Sequence, residues 1–127
     1  MSDYVASLDE ALAYAGEDII LRRIVGTGNA TVVVDVTVRA SVRAFRPDEL
    51  VGTIVQSDSQ VIISPTQIIA AQWPGGQPVS GAIHQADPRV PKIGDKAIIQ
   101  GRIRNITFVK PILVAGELVR IELTVAG

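Results

Sequence analysis

The sequence predicts a mainly β fold, a small antiparallel barrel or sandwich with a short N-terminal helix and a long Pro/Gly-rich loop. Three observations carry that expectation. Val32, Val34, Val36, Val38, Ala40, Val42 and Ala44 occupy every second position, with the mainly polar Val33, Asp35, Thr37, Arg39, Ser41, Arg43 and Phe45 between them. That is the period of a strand with one apolar face. Val119, Ile121, Leu123 and Val125 repeat the pattern near the end, opposite Leu118, Arg120, Glu122 and Thr124. Gly, Pro and small polar clusters separate further short apolar runs, as in a barrel or sandwich. A chain of 127 residues with 47% hydrophobic and 20% charged residues suits one domain over its whole length, residues 1–127, with a single core.

The elements follow in order. Ser7-Leu8-Asp9-Glu10 has the capping-box pattern, and Leu8, Ala11, Leu12 and Ala15 then recur at helical spacing. Gly16 is a natural stop, so a helix is expected over 7–15, with Asp9 and Glu10 at the positive end of its dipole. The barrel-like body is expected to span 17–127. The period changes to 2 over 17–25, and Gly26-Thr27-Gly28-Asn29 turns the chain into the alternating strand. A strand that long should bend or carry a bulge, as strands wrapping a barrel do. Pro47 breaks it, short strands follow over 51–56 and 60–64, and Pro65 opens a helical turn. Residues 96–100 form a strand, Gln100-Gly101 a tight turn and 102–109 the return. Residues 111–116 are a connection before the last strand.

Residues 74–92 stand apart, with four prolines and three glycines and no alternation. Loops of this length are usually functional or mobile, so this is the candidate working loop. Trp73 stands at its start, either as a core plug or as an interface anchor.

Chemistry-bearing patterns are scarce. The chain has no cysteine and one histidine, which excludes disulfides, thiolate sites and the common zinc patterns. Asp35, Asp48, Asp58, Asp87 and Asp95 are scattered, so no metal site and no cofactor are expected. His84 with Asp87 is a poor basis for a triad, because both lie in the Pro/Gly-rich loop and catalysis needs rigid geometry. No catalytic residue is assigned, and a non-enzyme is expected. The Gly26-Thr27-Gly28 run precedes a strand, so it is a turn and not a phosphate cradle. A formal net charge of −1 gives no overall field for nucleic acid. The acidic N-terminal stretch does not suit a signal peptide, and no apolar run approaches a membrane span. The expectation is a soluble protein made in the cytoplasm, with no membrane partner.

Two segments resemble head–tail joining (connector or head-completion) proteins of tailed bacteriophages. The first is Gly16-Glu17-Asp18-Ile19-Ile20-Leu21-Arg22-Arg23. The second is Pro91-Lys92-Ile93-Gly94-Asp95-Lys96-Ala97-Ile98-Ile99-Gln100-Gly101-Arg102-Ile103, followed by the closing strand Glu117 to Gly127. In that family an aspartate often stands where Gln100 precedes the turn glycine. The resemblance implies a virion protein, made in a bacterial host, that is monomeric when free and forms a homo-oligomeric ring in the particle. Its partners would be the portal or an adaptor and tail proteins, and genomic DNA would pass through its channel without sequence-specific binding. Candidate partner-interface residues are Trp73, Pro74, Gly75, Gly76, His84 and Arg89 in or beside the loop, and Arg39 and Arg43 on the sheet. The alternative is a small β-barrel binding module for single-stranded nucleic acid or a protein, using Arg39, Arg43 and Phe45. On the plainest reading, Arg39 and Arg43 pair with acids across the sheet.

Overall fold

The computed structural model describes residues 3–25, 29, 31–44, 58–71, 73 and 90–126. The elements are α1 (Asp3–Ala15), β1 (Glu17–Val25), β2 (Val32–Ala44), β3 (Ser59–Ile63), α2 (Thr66–Ala71), β4 (Lys96–Ile99), β5 (Arg102–Val114) and β6 (Glu117–Val125). The six strands close into an antiparallel barrel in the order β1-β2-β3-β6-β5-β4, with β4 returning to β1. The expected strand at 51–56, the break at Pro47 and most of the 74–92 loop lie outside the described residues.

Alternation places the core. Ile19 and Leu21 from β1, Val36, Val38 and Ala40 from β2, and Val61 and Ile63 from β3 point inward and are buried. Ala97 and Ile99 from β4, Ile106 from β5, and Ile121, Leu123 and Val125 from β6 complete the interior. The long β2 serves two neighbours: residues 32–40 pair with β1 and residues 40–44 with β3, exchanging partners at Ala40. β5 divides likewise, with 102–105 on β4 and 106–114 on β6. Two strands are thus long enough to turn barrel corners, and β5 carries irregularities between Ile106 and Phe108 and between Ile112 and Leu113.

Three sequence expectations are corrected. The helix runs from Asp3, not from Ser7, because Val5 is buried together with Leu12 and extends the packed stripe by a turn. Ser7 is therefore an exposed mid-helix residue and not a cap. Residues 111–114 are strand, not connection: Pro111 sits opposite Ile121 beside the second irregularity of β5, where a missing amide is tolerated. The connection shrinks to Ala115-Gly116. Finally, α2 starts at Thr66, and Pro65 precedes it, its carbonyl accepting from the Ile69 amide at 3.0 Å.

Both tight hairpins use the same backbone. Gln100 and Gly101 have φ of 52° and 79°, and Ala115 and Gly116 have the same pair of values. Positive φ at both central residues is the turn that matches strand twist.

Gly16 joins α1 to β1 at close quarters. Its amide donates to the Leu12 carbonyl at 2.8 Å. An added Cβ would lie 2.5 Å from that oxygen and 2.7 Å from the Ala40 carbonyl oxygen, both backbone atoms that cannot swing away. Gly16→Ala is expected to cost about 1–3 kcal/mol by forcing α1 away from β2. Urea unfolding checks this, and an unchanged midpoint would show that the junction gives freely.

Candidate functional site

The described residues converge at one end of the β1–β2 hairpin. β1 delivers Arg23 to the inward face, where the side chain is only 6% exposed. Its guanidinium meets the buried Asp95 as a fork: Nε lies 3.1 Å from each carboxylate oxygen and one terminal nitrogen 2.7 Å from Oδ2. Burial of two charges is costly unless the remaining donors and acceptors are used. Here the same terminal nitrogen donates to the Val90 carbonyl at 3.1 Å, and the Lys92 amide donates to Asp95 Oδ2 at 3.0 Å. The guanidinium carbon lies 4.5 Å from the centre of the Trp73 ring, a cation–π contact.

Trp73 is 2% exposed. Its amide donates to the Ile68 carbonyl in α2, and its indole N–H donates to the Val34 carbonyl at 3.0 Å. Val34 is the cross-strand partner of Arg23. Of the two sequence readings, the burial matches the core plug.

Just beyond that rung the hairpin changes character. Ile24 pairs with Val33 and Val25 with Val32, and the four side chains are 41–60% exposed. By strand alternation one pair belongs to each face, so the ribbon is apolar on both sides. Large exposed apolar patches on soluble proteins commonly mark contact sites.

Of the other predicted site residues, only Arg39 and Arg43 are described. Pro74, Gly75, Gly76, His84 and Arg89 lie outside the described residues, as does Phe45. Arg39 turns back over α1, with Nε donating to the Leu12 carbonyl at 2.9 Å and a terminal nitrogen to the Ala13 carbonyl at 3.3 Å. It also meets Asp18, its cross-strand partner on β1, at 3.3 Å. A cation on the last carbonyls of a helix satisfies orphan acceptors and the dipole together. Arg43 is exposed and donates to the Ala44 carbonyl at 3.4 Å. Arg39 thus serves the helix.

No family model matches the chain, and no curated protein matches it significantly.

Two further polar clusters hold the framework. Asp9 accepts from the Ser64 hydroxyl and, at 2.6 Å, from the Thr66 hydroxyl, pinning α1 to the start of α2. Beside it lies a groove of about 420 Å³ between α1, β1, β2 and α2, lined by Asp9, Ala13, Asp18, Thr37, Val38, Arg39 and Gln67. Arg104 donates to the Ala126 carbonyl at 2.6 Å and to the Ser59 hydroxyl at 3.1 Å. Burial lowers its pKa, the Arg102 charge lowers it further, and Asp58 opposes both.

On the outer face Arg22 forks onto Asp35 at 2.9 and 3.0 Å. Those hydrogen bonds hold the Asp35 carboxyl below the usual carboxylate range, with burial opposing and the Arg22 charge assisting. A lowered native pKa contributes stability above the unfolded value and loses it as pH falls through the native one. Asp35→Asn should therefore flatten the acid limb of the stability–pH profile slightly, because the pair is solvated. Urea midpoints across the acid range check this, and a limb as steep as wild type would contradict it.

Proposed function

We propose that this chain is a head–tail connector of a tailed phage or prophage, an adaptor or stopper between the portal-bearing head and the tail. One observation carries the reading. The two resembling segments, Gly16–Arg23 and Pro91–Ile103, are neighbours in space: β1 pairs with β4 at Ile20–Ile98, Leu21–Ala97 and Arg22–Lys96, and Arg23 closes on Asp95. Motifs far apart in sequence thus form one structural unit, which supports treating them as a single constraint. The apolar ribbon at Ile24, Val25, Val32 and Val33 also suits a chain that docks on others in a ring. The expected partners are the portal or an adaptor, tail proteins and further copies of the chain. The work is mechanical and uses no catalytic residue or cofactor. DNA passes without sequence-specific binding.

The test is deletion of the gene from its phage or prophage, induction, and electron microscopy of the particles. DNA-filled heads beside free tails support a joining role, and empty heads support a stopper. Normal tailed particles would end the reading.

A further inference from the structure

We propose that Arg23 is a clasp that fixes both feet of segment 74–89 on one rung of the barrel, and so sets where on the molecule that segment starts and ends. Trp73 is the residue before the segment and Val90 the residue after it. Arg23 touches both, stacking on the Trp73 ring at 4.5 Å and donating to the Val90 carbonyl at 3.1 Å.

Each foot has a second tie. The Trp73 indole donates to Val34, which is opposite Arg23 on the neighbouring strand. The second foot is held through Asp95, which accepts from the Lys92 amide and from Arg23. Bringing the ends of a long segment together costs entropy, and here one rung and one ion pair offset it. The exposed ribbon of Ile24, Val25, Val32 and Val33 is one rung further along the same hairpin. A partner meeting the ribbon would therefore meet the ends of the segment as well. The clasp does not depend on the connector reading, because it concerns the free chain.

The sequence supplies a reporter for each foot. Trp73 is the only tryptophan, and the Arg89–Val90 bond is a trypsin site at the second foot. The variant Arg23→Met with Asp95→Asn removes both charges, while the carboxamide that replaces the carboxylate can still accept from the Lys92 amide. The expected result is a barrel with wild-type far-UV circular dichroism and a cooperative melt. Its tryptophan emission shifts to longer wavelength and is quenched more by acrylamide, and trypsin cuts after Arg89 about tenfold faster or more. Unchanged emission and unchanged cutting in a folded variant would overturn the clasp. Arg23→Lys keeps the charge but loses the fork and the flat stacking surface, and is expected to raise cutting by about threefold. Loss of the barrel in both variants would also overturn the proposal, since Arg23 would then be holding the sheet and not the feet.

Discussion

Trp73→Ala is expected to lower the unfolding free energy by about 3–5 kcal/mol, the cost of emptying a large buried site. For a domain of this size that is a fall of roughly 10–20 °C in melting temperature. Three losses act together. The indole vacates space in the core cluster that also holds Ile68 and Val90. The Val34 carbonyl loses its indole donor, and the Arg23 guanidinium loses its aromatic face. Trp73→Phe keeps most of the volume and the ring but not the donor, and should cost about 1–2 kcal/mol. Thermal melts of the two variants separate packing from hydrogen bonding. A Trp73→Ala loss under about 1 kcal/mol would mean that the site collapses without a cavity.

Asp95→Ala is the second large effect, with an expected loss of about 3–5 kcal/mol. The cause is the arginine left behind. Arg23 would remain almost fully buried without the carboxylate that balances its charge, and the Lys92 amide would lose its acceptor. Arg23→Met combined with Asp95→Ala should recover much of that loss, because neither charge is then buried alone. A double-mutant cycle in urea measures the coupling. Equal losses in the single and double variants would show that burial of the guanidinium is not the cause.

Much of the barrel was legible because burial is periodic. The alternation from Val32 to Ala44 is β2, with Phe45 outside the described residues, and the run from Glu17 to Val25 is β1. The failures are places where tertiary packing overrode a local signal. Ser7-Leu8-Asp9-Glu10 looks like a helix start, yet Val5 is buried and Asp9 commits its carboxylate to Ser64 and Thr66. Pro111 looks like a strand end, yet β5 absorbs it beside an irregularity.

The site was less legible. Arg39's pairing with an acid across the sheet was readable from strand alternation, and Asp18 supplies the acid. Its hold on the helix carbonyls was not, since it depends on α1 folding back over β2. Arg23 and Asp95 have no local pattern that pairs them. They were visible only as members of two separate resembling segments, and the contact between those segments is a product of barrel closure.

That closure has a kinetic consequence. Among the described residues β1 and β4 share three rungs, the shortest ladder in the barrel, whereas β1–β2 and β5–β6 are long hairpins of local contacts. Local hairpins form in microseconds, but a seam between strands distant in sequence closes more slowly, because closing the longer loop costs more entropy. A refolding chain is therefore expected to pass through a stage in which β1 and β4 still offer bare backbone edges. In that interval it is a template for its own neighbours, and the yield of native protein depends on how dilute the chains are when the seam shuts.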